Sequence, residues 1–72
     1  MSKLPVLKPK EILHILKRAG FIEVRTKGSP VQLKKGNLLV TVPIRNRDLN
    51  VETLKSILRQ AKISSEELQS FL

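Results

Sequence analysis

The sequence predicts one α+β domain, in which helices pack on one face of a three-stranded antiparallel sheet. Apolar residues recur with helical spacing in residues 9–19 and 50–72, and with a period of two between residues 21 and 42. The order therefore reads α-β-β-β-α-α, and the short connections between strands favour a meander. A chain of 72 residues has room for a single core, so we expect one domain over residues 1–72.

A loose N-terminal arm is expected at residues 1–8, and the first helix should follow it. Pro9 suits the first turn of a helix, and Gly20 suits the left-handed position just after one. Between them, apolar residues at i, i+3, i+4 and i+7 predict one buried stripe, formed by Ile12, Ile15, Leu16 and Ala19.

Three strands are predicted at residues 21–26, 31–34 and 38–42. The first carries Ile22 and Val24 on one face and charged residues on the other. Residues 27–30 are a loop by composition, and residues 35–37 form a short glycine-containing hairpin turn. Pro43 should end the third strand, because proline cannot donate a hydrogen bond to a neighbouring strand.

Two further helices should close the chain. Asn50 is a plausible N-cap, and Leu49 and Leu54 are spaced as a hydrophobic staple. The buried stripe of that helix is predicted to be Val51, Leu54, Ile57, Leu58 and Ala61. Residues 64–67 have the pattern of a capping box, with Ile63 and Leu68 as its staple pair. The last helix should then cover the core with Leu68, Phe71 and Leu72.

The charge balance restricts the function. Fourteen Lys and Arg against six Asp and Glu give a net charge of +8, which favours a polyanionic partner. With no Cys and one His, the chain offers no thiolate nucleophile and no evident metal site. We expect no cofactor and no small-molecule substrate, because so short a chain leaves little room for a cleft. No apolar run approaches the roughly 20 residues of a membrane span, and no signal peptide is evident, so a cytoplasmic location is expected.

The candidate RNA-binding residues are basic and cluster in three parts of the sequence. One group borders residues 27–30, a second punctuates the loop at 43–48, and a third shares one exposed face of the helix after Asn50. If the meander forms, these groups can converge around the two loops. The only aromatic residues are two Phe, both expected in the core, so contacts should be mainly to phosphates. The candidates are Lys27, Lys34, Lys35, Arg45, Arg47, Lys55 and Arg59.

Five segments of the chain share a pattern with one family: Gly20-Phe21, Lys27-Gly28-Ser29, Val40-Thr41-Val42-Pro43, Thr53-Leu54-Lys55-Ser56-Ile57-Leu58-Arg59-Gln60-Ala61 and Ile63-Ser64. Together they resemble the HicA toxins, the mRNA interferase partners of HicB antitoxins. The resemblance runs from about residue 9 to about residue 70, and its most specific part is the segment 53–61. It implies a fold similar to a double-stranded-RNA-binding domain, binding and cleavage of mRNA without a metal, and a HicB-like antitoxin as partner.

The chain departs from the family at the catalytic position. HicA proteins use a His after the Gly-Ser pair, where an imidazole near neutral pKa can transfer a proton to or from the reacting oxygens. Here Gly28 and Ser29 are followed by Pro30 and Val31, neither of which can transfer a proton. His14 is expected on the solvent side of the first helix. No catalytic residue is therefore intact, either by natural divergence or because the His was replaced.

Three functions fit the sequence. The first is a HicA-type toxin that keeps its RNA and antitoxin surfaces while its cleavage step is lost or severely weakened. The second is a non-catalytic RNA-binding module of the same fold, which shape-selective binding to duplex RNA would favour. The third, a small ribosomal or nucleoid protein, depends on charge alone and does not explain the segment from Thr53 to Ala61.

Overall fold

The structure, a computed structural model, describes residues 4–25, 27–28 and 30–72. Three strands form one antiparallel sheet in the order β1-β2-β3, and helices precede and follow it, which confirms the α+β prediction. The elements are α1 (Pro9–Arg18), β1 (Ile22–Arg25), β2 (Val31–Lys35), β3 (Leu38–Val42), α2 (Val51–Ala61) and α3 (Ser65–Ser70).

The buried residues form one apolar cluster between the sheet and the helices. Leu33, Val40 and Val42 supply the sheet side of this cluster, and no polar or charged residue of the described chain is buried in it. At about 25 cal/mol per Å² of apolar surface removed from water, this burial is the main stabilising contribution to the fold. The cluster consists of Leu7, Ile12, Ile15, Leu16, Phe21, Val31, Leu33, Val40, Val42, Leu49, Leu54, Ile57, Leu58, Ala61, Ile63 and Leu68.

The sheet has a second face that no described helix covers, which we call the open face. The register pairs Ile22 with Lys34 and Lys34 with Leu39, so these three side chains form one row across the sheet. Ile22 is 69% exposed and Leu39 is 49% exposed. Since successive residues of a strand point to opposite faces, this row faces away from the buried row that contains Leu33 and Val40.

The apolar side of β1 therefore faces solvent. Phe21 is buried immediately before the strand, and alternation then directs Ile22 and Val24 outward and Glu23 towards α1. The carboxylate of Glu23 forms an ion pair with Lys17 there. The period-two pattern of residues 21–26 predicted the alternation correctly but did not indicate which face the helices would cover.

Two residues expected to be buried in the helices are exposed instead. Val51 is 51% exposed, because it occupies the first turn of α2, before the stripe reaches the sheet. Leu72 is 64% exposed beyond the end of α3, whereas Phe71 is half-buried against the core. The other members of the predicted stripes in α1 and α2 lie in or against the core.

Within the segment predicted to be a loose arm, Leu4 and Leu7 pack against the core, whereas Val6 and Lys8 are exposed. Leu7 is buried, and its carbonyl oxygen accepts a hydrogen bond of 2.8 Å from the N–H of Leu49. Leu49 is buried as well, so the segment before α1 is joined to the loop before α2.

Side-chain caps begin both C-terminal helices, as the sequence predicts. The Asn50 side chain accepts from the N–H of Thr53 at 2.8 Å, and the Ser64 hydroxyl accepts from the N–H of Glu67 at 3.1 Å. Both staple pairs are buried. At the other end of α2, Lys62 takes the left-handed conformation with φ 56°, a position where glycine is favoured.

We expect Asn50→Ala to lower the free energy of unfolding by about 1 kcal/mol, the usual cost of losing an N-cap acceptor. Urea unfolding followed by circular dichroism measures this. Asn46→Ala is the matched control, since Asn46 is exposed in the same loop and surface substitutions usually change stability by less than about 0.5 kcal/mol. Equal losses in the two variants would contradict the capping role.

Candidate nucleic-acid interface

The loop between β1 and β2 holds the position at which the resemblance places the catalytic His. Lys27 is exposed there, and Gly28 has φ 74°, a left-handed conformation that L side chains rarely adopt. Pro30 is half-buried next to β2. Ser29, predicted as part of this loop, lies outside the described residues, as does Thr26.

Position 30 adjoins the open face of the sheet. In β2 the side chains of Val31 and Leu33 are buried, so alternation assigns Gln32 to the open face. The same alternation, extended back by one residue, assigns position 30 to that face too. By this alternation a side chain at position 30 is directed towards the open face rather than towards the core.

Arg25 lies on the same face, although sequence reasoning did not select it. It pairs with Gln32, because a β-bulge between Glu23 and Arg25 shifts the register of β1. Regular alternation from Glu23 would have turned Arg25 towards the helices, whereas the bulge turns it outward. Its guanidinium is a donor suited to phosphate oxygens. No sequence signal marked this bulge.

The one His of the sequence, His14, does not belong to this loop. His14 lies on the exposed side of α1 and lines a shallow groove with Ile15, Phe71 and Leu72. That groove lies between α1 and the C-terminal residues, and none of its lining residues belongs to the loop at 27–30. Residues 27–30 therefore include no imidazole.

The two predicted cations of β2 lie away from this loop. Lys34 is exposed in the central row of the open face. Lys35 ends β2 at the hairpin turn, about 13 Å along the strand from Val31. Its ammonium donates to the carbonyl oxygen of Ala19 at 2.7 Å and lies 5.8 Å from the ring centre of Phe21. Lys35 thus stabilises the C-terminal end of α1, next to Gly20.

Arg45 and Arg47 lie close to two other basic residues, and the sequence pattern did not predict this proximity. Both arginines line a pocket together with Lys8 and Lys10, which flank Pro9 at the start of α1. All four charged side chains are exposed. We call this the basic pocket; its other lining residues are Pro9, Ile44 and Asn46.

Lys55 and Arg59 lie one helical turn apart on the exposed side of α2, as their spacing predicts. They border a second concave surface whose apolar floor is formed by Leu4, Leu58 and Ile63. None of the residues lining this surface also lines the basic pocket. The seven predicted residues are therefore distributed over the loop and open face, the hairpin end, the basic pocket and α2.

Most of the basic side chains have no acidic partner. Within residues 4–25, 27–28 and 30–72 the structure shows one ion pair, between Lys17 and Glu23. Arg18 contacts the carbonyl oxygen and ring of Phe71. The remaining predicted cations other than Lys35 are open to solvent, and their charge is available to an anionic ligand.

Neither a metal site nor a membrane segment is found in the part of the chain that the structure describes. No group of three His, Asp or Glu side chains lies close enough together there to hold a metal ion. No helix in those residues has the length and apolar character needed to cross a bilayer.

Comparison with known proteins identifies one family. A family model described as the HicA toxin of bacterial toxin–antitoxin systems matches residues 9–63, well over half of the chain. The match spans every element from α1 to α2, and with them the loop at 27–30 and the cations of α2. Comparison with curated proteins finds no match.

Proposed function

Because the chain belongs to the HicA toxin family, we propose that it is a HicA-type protein that binds mRNA but cuts it weakly or not at all. Membership of this toxin family implies an antitoxin partner of the HicB kind. The proposed site of action is the cytoplasm, where mRNA and antitoxin are both present.

The observation that carries the RNA-binding part is the set of unpaired cations. The chain has a net charge of +8. The one ion pair in the described residues joins Lys17 to Glu23, so it does not involve Arg45, Arg47, Lys55 or Arg59. Such charges repel one another in a compact domain unless an anion neutralises them. RNA phosphates do so and release counterions, which favours binding.

The loss of cleavage follows from the chemistry at position 30. Attack by a 2′-hydroxyl on the adjacent phosphate needs a base to accept the hydroxyl proton and an acid to protonate the leaving oxygen. Pro30 supplies neither group. Arg25 and Lys27 can stabilise negative charge on the phosphate, but a guanidinium and an ammonium group are hydrogen-bond donors only and do not accept the hydroxyl proton. Charge stabilisation is retained while proton transfer is lost.

The antitoxin would cover the same region. The open face carries the exposed apolar side chains of Ile22, Val24 and Leu39, with Lys34 between two of them. An antitoxin that blocks the loop at 27–30 has this face beside it, and burying it would remove apolar surface from water. A protein without cleavage activity that retains this surface would still occupy the antitoxin.

A second candidate is a non-catalytic RNA-binding module. The absence of an imidazole near the loop favours it, since binding needs only the cations. It differs from the first proposal in two respects: it requires no antitoxin, and it predicts that restoring a His would not restore cleavage.

We expect the double variant Lys55→Gln, Arg59→Gln to bind single-stranded RNA at least about tenfold more weakly at 0.1 M salt, because two phosphate contacts are lost. The slope of log affinity against log salt should fall in magnitude by about 1.4, at roughly 0.7 per contact on a single strand. Fluorescence anisotropy of labelled RNA measures both the affinity and the slope when the salt concentration is varied from about 50 to about 200 mM.

The matched control for that variant is Lys17→Gln, Arg18→Gln, which removes the same charge from the far end of α1. Lys17 is already paired with Glu23, and Arg18 contacts Phe71. The control should therefore lose much less affinity. Equal losses from both double variants would show that binding responds only to net charge and has no localised site on α2.

A further inference from the structure

The basic pocket combines cations from two segments that are far apart in the sequence. Lys8 and Lys10 come from the start of α1, and Arg45 and Arg47 come from the loop before α2. The pocket has a volume of about 340 Å³, within the range of about 300–1,000 Å³ usual for small-molecule sites. A phosphate with its attached nucleoside is a group of suitable size.

The two segments are held together by the core beneath them. Leu7 and Leu49 are 3% and 6% exposed, and the N–H of Leu49 donates to the carbonyl oxygen of Leu7 at 2.8 Å. Lys8 directly follows one of these residues, and Arg47 precedes the other by two positions. The backbone that carries the cations is therefore positioned before any ligand binds, which reduces the entropy lost on binding.

The charge of this pocket is not neutralised by neighbouring acids. The Glu11 carboxylate accepts a hydrogen bond from the N–H of Lys8 at 3.0 Å and so caps the start of α1. Asp48 is exposed and forms no ion pair within the described residues. Four cations thus face one concavity that has no acidic lining residue. Their mutual repulsion falls when an anion enters.

We propose that the basic pocket binds one phosphate of the RNA backbone together with the nucleoside attached to it. The guanidinium groups of Arg45 and Arg47 are suited to bidentate contact with phosphate oxygens, and Lys8 and Lys10 supply point charges from the opposite wall. The side chains of Pro9 and Ile44 give the nucleoside an apolar surface. This proposal rests on the proposed RNA binding and adds a contact region outside the loop at 27–30 and α2.

The test is a double-mutant cycle on RNA affinity, measured by anisotropy with a labelled single-stranded RNA at 0.1 M salt. One variant carries Lys8→Gln, Lys10→Gln, the second carries Arg45→Gln, Arg47→Gln, and the third carries all four changes. Each pair should weaken binding by about tenfold. If both pairs hold the same phosphate, the fourfold variant should lose clearly less than the product of the two separate losses, because residues that share a ligand are coupled.

The matched control is Lys17→Gln, Arg18→Gln, which removes two charges from the other end of the same helix. Thermal unfolding of every variant checks that the fold is intact. If the unmodified chain does not bind RNA, the proposed function and the pocket both fail. If it binds, but the Lys8 and Lys10 variant loses no more than the control, or the losses of the two pairs multiply independently, the pocket proposal alone is overturned.

Discussion

The substitution Pro30→His should raise the rate of mRNA cleavage by about 10²–10⁴-fold, the usual contribution of a positioned general acid or base. Position 30 adjoins the open face, where Arg25 is exposed, and Lys27 is exposed in the same loop, so both cations could stabilise charge on a bound phosphate. An imidazole there would add the missing proton transfer near neutral pH. The change also removes the fixed φ of proline and restores a backbone N–H, and for this reason the control below changes the backbone in the same way.

Single-turnover cleavage of a long unstructured mRNA, at matched concentrations and without antitoxin, measures this gain. Pro30→Ala is the control, because it relaxes the backbone in the same way but brings no imidazole. We expect both the unmodified chain and Pro30→Ala to be nearly inactive. A chelator should not abolish the gain, since the family activity implied by the resemblance needs no metal.

Two other outcomes would change the interpretation. If neither the unmodified chain nor Pro30→His cuts while both bind RNA, the non-catalytic binding module becomes the better description. If the unmodified chain already cuts mRNA as fast as Pro30→His, the chemistry does not depend on an imidazole in this loop, and the account of the cleavage position is wrong.

The substitution with the largest expected effect on stability is Leu33→Ala. Leu33 is fully buried at the centre of the sheet, and truncating such a leucine costs about 2–5 kcal/mol in lost burial and cavity formation. A domain of this length has a total stability of about 4–11 kcal/mol, at roughly 0.05–0.15 kcal/mol per residue. The variant should therefore lose a large part of its stability, with a melting temperature lowered by about 10 °C or more.

Leu39→Ala provides the comparison on the opposite face of the same sheet. Leu39 is 49% exposed and lies in the row next to Leu33 on the neighbouring strand. Truncating this half-exposed side chain should lower the free energy of unfolding by less than about 1 kcal/mol, because strand propensities measured in a host protein span only about that much. Urea unfolding measures both variants. If Leu39→Ala is as destabilising as Leu33→Ala, the open face is not open in the isolated protein.

The order and ends of the elements could be predicted because they depend on local chemistry. Asn50 and Ser64 form the predicted caps, and Gly20 has the positive φ expected after α1. The strand order followed from short connections, which leave a meander as the simple arrangement. These features need only the residue type and a few neighbours along the chain.

The faces of the sheet and the grouping of the cations could not be predicted in the same way. Ile22 and Val24 have the pattern of buried residues, and only the packing of Phe21 shows that they face solvent. Arg25 lies on the open face because of a β-bulge in β1. The ammonium group of Lys35 is hydrogen-bonded to the carbonyl oxygen of Ala19 at the end of α1. The basic pocket required contact between segments separated by the whole sheet. Each outcome depends on tertiary packing that no local pattern encodes.

The junction between Leu7 and Leu49 has a consequence for the order in which the domain folds. The contacts within the β1-β2-β3 meander join neighbouring segments of the chain, so closing each hairpin costs little loop entropy. The Leu7–Leu49 hydrogen bond instead closes a loop that contains α1 and the entire sheet. Contacts of such long sequence separation form slowly. During synthesis from the N-terminus, Leu7 cannot contact Leu49 until Leu49 has left the ribosome. The two segments that line the basic pocket therefore come together only after the residues of the sheet have been synthesised.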